Sequence, residues 1–382
     1  MGPRSLILFI AFLQGLFFAA MLLRRGTLKK QVQDFILAAL LFALATSLIS
    51  YIIGFMGVYD MAREQGWDLT YFPFGNGFLL GPLAYLYVCA LTDKEFSWSR
   101  NTWQHLLPAA LYYVYCFWMW SRPYAVKEWF WKNIGWVDTV LEIAAWGMSV
   151  WYIYKAWRRL GLYRHLVARE YSNAGSRTLQ WLAHFIWGAA GYYLFALVFK
   201  LTGELFQFFY TEWFYLELIR AAMLYYLSVA GWNFAQKSDL DFERVEQRET
   251  LVSPEIQPET TTGNTTKAPF PPDELEIKRR ELEDFMQNKE PWRDEELSLP
   301  QLSAQLQMTP VQLSALVNSG IGKNFNDFVN EYRVRAVIQR LHEGAGKQFS
   351  LLGIAYECGF NSKATFNRAF KKYTGKTPGE FA

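Results

Sequence analysis

Seven apolar stretches crowd the first part of the chain, at residues 6–23, 35–58, 72–91, 103–120, 136–157, 179–201 and 214–235. At about 1.5 Å of rise per helical residue, each has roughly the length needed to cross about 30 Å of hydrocarbon. A backbone in that solvent must satisfy its own polar groups, which leaves the helix as the form such stretches take. Mean hydropathy over the whole chain is nevertheless close to zero, because everything past residue 236 is polar. The expected fold class is therefore all-α: a polytopic membrane bundle of about seven transmembrane helices, followed by a region of different character.

Lys and Arg on short loops are retained on the cytoplasmic side and so set orientation. With an outside N-terminus, the inner loops hold twelve of them: Arg24, Arg25, Lys29, Lys30, Lys94, Arg100, Lys155, Arg158, Arg159, Arg164, Arg169 and Arg177. The outer segments hold six, namely Arg4, Arg63, Arg122, Lys127, Lys132 and Lys200. The bias predicts an outside start and, with an odd number of spans, an inside end. The first stretch is expected to remain as a span, since its charges follow the apolar run where a secretory signal would place them before it.

Ionisable groups within such spans are costly and tend to face the bundle interior. Glu142 lies in the fifth stretch; Glu217 and Arg220 lie in the seventh, three residues apart and so on one helix face. All three fall in the outer half and are the candidate signal-sensing residues, with a structural ion pair as the plainer role for Glu217 and Arg220. His184 is expected inside the bundle as a hydrogen-bonding residue. Residues 124–136, YAVKEWFWKNIGW, suit interfacial anchoring, or an aromatic lid over a ligand site. Gly75, Asn76, Gly77, Gly81 and Pro82 suggest a closely packed, kinked third helix. The three cysteines show no C-x-x-C spacing, so neither a disulfide framework nor a zinc site is supported.

Residues 237–272 turn to Glu, Thr, Pro and Asn and are expected to be a disordered linker. Residues 273–297 are expected to carry a connector helix, apolar at Leu275, Leu282, Phe285 and Met286, that packs on the domain behind it or makes a short dimer contact. Residues 298–382 hold ten Lys plus Arg against five Asp plus Glu. That excess of five implies a few placed contacts to an acidic partner. Within this region a short helix pattern runs into Gly359, and a second starts at the capping candidates Asn361 and Ser362 and continues to Tyr373. Phe366, Ala369, Phe370 and Tyr373 recur at helical spacing and form a buried stripe. Ser362, Lys363, Asn367, Arg368 and Lys371 are left to meet a ligand, with Lys372 and Lys376 nearer to phosphates. Arg pairs with guanine edges and Asn with adenine edges, so such a face suits the major groove of double-stranded DNA. Upstream, Thr309 and Pro310 start a helix whose buried face is Leu313, Leu316 and Val317. Its polar set is Gln312, Ser314 and Asn318.

The runs IAYECGF, SKATFNRAFKK and TGKTPGEF resemble, in order and spacing, the second helix-turn-helix of the AraC/XylS family of transcription regulators. LSLPQLSAQLQMTPVQLSALVN is similar to that family's first helix-turn-helix, and NFNDFVNEYRVRAVIQRL to the helix joining the two. The resemblance spans about ninety residues and extends to a membrane-embedded subclass with a seven-helix N-terminal domain. It implies promoter DNA as partner, with RNA polymerase, membrane lipid, an unknown signal ligand and a second copy of the chain as further partners. Many members carry Arg where this chain has Ala315, which implies that the second motif dominates base reading.

Taken together, these features describe a membrane-bound one-component regulator of the inner membrane: a sensor over 1–236, a linker, a connector helix and a cytoplasmic reader over 298–382. No phosphate-cradling glycine loop, metal-ligand cluster or phosphoacceptor histidine region is present, so neither an enzyme nor a cofactor is expected. The alternative is a transporter or channel gated by a cytoplasmic helical domain; internal repeats with broken helices would favour it, and none is visible.

Overall fold

Each of the seven apolar stretches holds helix, and the breaks fall where the sequence is polar or rich in Gly and Pro. The computed structural model describes residues 2–64, 69, 71–93, 95–172, 179–234 and 272–381. Among these there is no strand, only an isolated antiparallel bridge between Tyr171 and Ser298. The chain divides into two compact units: Met1–Leu160 with Leu179–Asp239, and Gly161–Thr178 with Leu240–Ala382.

In the first unit, α1 (Pro3–Lys29) packs on α2 (Val32–Ser47), α3 (Ile49–Phe55) and α11 (Phe214–Phe234). Helix α1 is apolar all round but buries only a narrow stripe that includes Leu8, Gly15, Ala19, Leu22 and Gly26. Close approach explains the glycines: a Cβ on Gly15 would lie 2.8 Å from a Leu224 methyl, and one on Gly231 2.5 Å from Leu37. The Arg25 guanidinium forks onto Asp34 at 2.7 Å through both nitrogens and donates to the Trp232 carbonyl at 2.8 Å. Arg25, expected as a loop charge, is thus a clamp joining α1, α2 and α11, and Asp34 is fully buried beneath it.

The remaining helices of this unit are α4 (Val58–Glu64), α5 (Gly77–Thr92), α6 (Arg100–Gln104), α7 (Leu107–Trp120), α8 (Tyr124–Ile134), α9 (Trp136–Glu170) and α10 (Gln180–Phe206). Helix α9 continues into the second unit. Among the described residues, three helices are long and apolar enough to cross a membrane, Pro3–Lys29, Val32–Phe55 and Gln180–Gly203, against the seven expected. Helices α5 and α7 reach only 16 and 14 residues. Helices α9 and α11 are long enough, but acidic and basic groups and amphipathic Tyr and Trp rings dilute their apolar character. Gly81 packs against Ser149, whose Cα would sit 2.8 Å from an added Cβ, so the third helix is closely packed as its composition suggested. His184, expected inside, is exposed.

The second unit is built around one apolar core. Helix α12 (Pro272–Asn288) contributes Leu282 and Met286, both fully buried, so the connector helix packs on the domain behind it. Its outer face is laced by Arg279–Glu283 and Arg280–Glu276 pairs at helical spacing. Then come α13 (Leu299–Gln305), α14 (Pro310–Ala315), a π-helical turn Leu316–Gly320, α15 (Phe325–His342), α16 (Leu351–Glu357), α17 (Lys363–Thr374) and α18 (Pro378–Phe381). The expected linker, apart from Pro272, falls at 237–271, outside the described residues.

Candidate nucleic-acid interface

Two helix pairs, α13 with α14 and α16 with α17, are joined by α15, and local chemistry fixes where each helix begins. Thr309 caps α14 by accepting from the Gln312 N–H at 3.2 Å, while the Gln312 side chain accepts from the Thr309 N–H at 2.9 Å. Asn324 caps α15 through the Asp327 N–H at 2.8 Å. Ser350 and Ser362 cap α16 and α17 at 3.1 and 3.2 Å. Between the last two helices Gly359 holds φ +85° and lies against backbone: an added Cβ would meet the Trp292 carbonyl oxygen at 2.3 Å. Only glycine fits both the left-handed conformation and that approach.

Helix α17 separates its faces as its periodicity predicts. Thr365, Phe366, Ala369 and Phe370 are buried, and Tyr373 is half-buried with its hydroxyl donating to the Asp327 carbonyl at 2.6 Å. Lys363, Asn367, Arg368, Lys371 and Lys372 are exposed. Among the described residues the side chains of Lys363, Asn367, Arg368 and Lys371 make no hydrogen bond or ion pair, so their donors are free for an incoming partner. Lys372 differs, because its ammonium binds the Asp327 carboxylate at 2.6 Å. The hydroxyl of Ser362 is half-buried and engaged in the cap. Helix α17 ends on Gly375 at φ +75°, with Lys371 and Lys372 in the last turn, where cations suit the helix dipole.

The first motif departs from expectation. Leu313, Ser314, Ala315, Leu316 and Val317 are buried in succession, and α12 lies against the following turn, with Leu275 beside Gly320. Ser314, expected to face DNA, is 3% exposed and accepts from the Asn318 amide at 3.2 Å. Ala315 is likewise inside. Gln312 and Asn318 stay half-buried, and Gln312 uses its carbonyl in the cap. The first pair therefore offers few free donors.

Sequence reasoning missed Arg333. It is fully buried on α15, with Nε donating to the Trp292 carbonyl and Nη2 to the Asp294 carbonyl, both at 2.7 Å, and Nη2 also to the Ser172 hydroxyl at 3.0 Å. Burial pushes its pKa down to about 10, against the opposing pull of Asp294 and Glu295. The pattern EYRVR could have been flagged, since Arg333 falls on the same helical face as Phe325, Val329 and Val337, where a charge needs many partners.

In the first unit, Glu217 is 1% exposed and binds Arg220 at 2.7 Å, with the Tyr192 hydroxyl as the second partner of Arg220. Glu142 instead pairs with Lys200. Glu142 lines a cavity of about 290 Å³ that does not include Glu217 or Arg220, so the three candidates do not form one site. That cavity is walled by Tyr71, Phe72, Phe78, Tyr112, Tyr115 and Trp146 and contains Asp138. Phe130, from the 124–136 segment, packs on Tyr71 and Tyr115. All three cysteines are buried and free, and no group of metal-ligating side chains occurs among the described residues.

Residues 302–382 match a family model described as a helix-turn-helix domain. The C-terminal region is an AraC-type helix-turn-helix domain, the DNA-binding part of a transcription regulator. No curated protein and no solved structure matches the chain.

Proposed function

We propose that the protein is a membrane-embedded one-component transcription regulator: a seven-helix sensor with its N-terminus outside, and a cytoplasmic reader that binds promoter DNA sequence-specifically, chiefly through α17. Residues 298–382 are the DNA-binding part in this reading, behind the connector helix. Asn367 and Arg368 read base edges, Lys363 and Lys371 meet phosphates, and Lys372, held by Asp327, reaches one only on leaving that pair. Gln312 and Asn318 mainly orient the first motif. Glu142 and the Glu217–Arg220 pair belong to the signal-sensing part.

The observation that carries the membrane assignment is where apolar surface lies. Among the described residues, of the large hydrophobic side chains that are exposed, only Leu162, Ile277, Phe349 and Tyr356 belong to the second unit. The rest, including Phe17, Leu111, Val114, Leu194 and Leu201, cover the first. Water does not tolerate so much contiguous apolar surface, and lipid does. Helices α5 and α7, apolar but short, and α9 and α11, long but carrying charged groups, are expected to complete the bundle around the buried Arg25–Asp34 and Glu217–Arg220 pairs.

The test is alkaline extraction of membranes combined with reporter fusions after Phe234 and after the C-terminus. Retention in the membrane with a cytoplasm-active reporter at both points is expected. Full extraction, or a periplasm-active reporter at the C-terminus, would overturn the membrane regulator.

A further inference from the structure

The cavity beside α9 points to a ligand class. Tyr71 and Tyr115 donate to the two Asp138 carboxylate oxygens at 2.6 and 2.7 Å. Among the described residues no Lys or Arg lies within ion-pair distance of Asp138, whereas the neighbouring Glu142 has Lys200. The wall contains six aromatic residues and two carboxylates and no basic residue. Tyr71 is held at φ +67°, a conformation bulky residues rarely adopt, and strain of that kind gathers at ligand clamps. A half-buried anion without a cation, ringed by π faces, is complementary to an ammonium group. At about 290 Å³ the space suits a small ligand.

We propose that this cavity binds a small organic ammonium ion, with Asp138 as counter-ion and Tyr71, Tyr112 and Tyr115 as aromatic walls, the Trp146 ring being already covered by the Lys200 ammonium. This rests on the sensor reading above and names its ligand class. The test uses the purified full chain in lipid nanodiscs and follows its thermal unfolding midpoint with tetramethylammonium, choline and phenethylammonium at millimolar concentration, against phenylacetate and 2-phenylethanol. At least one cation should raise the midpoint, the anion and the alcohol should not, and Asp138→Asn should abolish the shift while unfolding as cooperatively as the parent. No shift with any cation, an equal shift with the uncharged or anionic analogue, or a shift that survives Asp138→Asn would overturn the proposal. Genome-wide DNA binding by the same chain is scored separately: discrete sites without an ammonium shift would remove the ligand class and leave the regulator standing.

An independent observation concerns the second unit, whose first piece is the segment Gly161–Thr178. Ser172 is fully buried, with its N–H and its hydroxyl both donating to the Leu297 carbonyl, at 3.1 and 2.7 Å. The Asn326 amide donates to the Tyr171 and Ser172 carbonyls at 3.2 and 2.7 Å, and Asn330 to the Ser172 carbonyl at 3.3 Å. Asn326, Asn330 and Arg333 stand at i, i+4 and i+7, one face of α15. Most of their bonds to the segment go to its backbone, as in recognition of an added strand. Losing the segment would leave part of a buried guanidinium unpaired.

The geometry points to Tyr171–Ser172, directly after α9, as a docking segment that holds the reading domain. The test places a protease site between residues 255 and 265 of the full chain in membranes and cleaves it. The C-terminal piece should stay in the membrane pellet for the parent, and should move to the supernatant for Ser172→Pro and for Asn326→Ala with Asn330→Ala. Release of the parent piece on cleavage, or retention of both variants as firmly as the parent, would overturn the docking segment.

Discussion

Replacing Arg368 by Ala removes five donors from the exposed face of α17 and disturbs nothing inside, since the Arg368 side chain has no bonded partner among the described residues. A bidentate contact to a guanine edge is worth about 1–3 kcal/mol of discrimination, so affinity for the specific site should fall by roughly 5- to 150-fold. Affinity for random DNA should fall far less. Lys372 makes the converse case. Its ammonium is held by Asp327 at 2.6 Å in a pair that is 56% and 25% exposed, and an exposed pair of this kind contributes about 0–1 kcal/mol. Asp327→Asn should free Lys372 for a phosphate while keeping a side-chain oxygen for the Asn324 amide, now 2.9 Å away. Binding should then tighten on every sequence, and the plot of log affinity against log salt should steepen by up to about 0.9, the value for one added phosphate contact. Fluorescence anisotropy of the full chain on specific and random duplexes across salt measures both. Equal losses on the two duplexes for Arg368→Ala, or a shallower salt slope for Asp327→Asn, would refute the assignment of roles on this helix.

Gly359→Ala places a Cβ against the Trp292 carbonyl and forces an L residue to φ +85°; a cost of at least about 2 kcal/mol should accelerate hydrogen exchange across α16 by roughly 30-fold. Unchanged exchange would show that the turn is not constrained. Gln312→Ala removes a cap acceptor and one amide group, against the guanidinium's five donors, so it should weaken specific binding less than Arg368→Ala, and the reverse ranking would restore base reading to the first motif. Glu217→Gln leaves Arg220 with Tyr192 but without its charge partner, and reporter expression should become fixed high or fixed low at normal protein abundance. If the swapped pair, Glu217→Arg with Arg220→Glu, accumulates and responds normally, the pair is structural only.

Legibility in the sequence followed the strength of the local signal. Helix α17 was legible because Phe366, Ala369, Phe370 and Tyr373 keep strict helical spacing and Ser362 supplies a cap, both of which depend only on neighbours along the chain. The cap at Thr309 and Pro310 was legible for the same reason. The burial of Ser314 and Ala315 was not, because it depends on how the elements around α14 fold over it, and periodicity within α14 contains no trace of them. Arg25 was misjudged as a loop charge since only the fold brings Asp34 and Trp232 to it. The Asp138 cavity also escaped, because its walls come from residues up to 75 positions apart and Tyr71 lies in a loop without any period. Apolar length led to an expectation of seven spans, and helix occupies each stretch, yet among the described residues only three helices are long and apolar enough: α5 and α7 are too short, and charged groups with Trp and Tyr dilute α9 and α11.

The central claim is that an α17-based reader acts at discrete DNA sites while tethered to a membrane. The most direct measurement is a genome-wide map of DNA bound by the full-length tagged chain in its host, paired with the Asn367→Ala, Arg368→Ala double variant at equal abundance in the membrane fraction. Discrete sites sharing one sequence, lost in the double variant, are expected. Absence of discrete sites for the parent chain, or the same sites bound equally by the variant, would contradict the account.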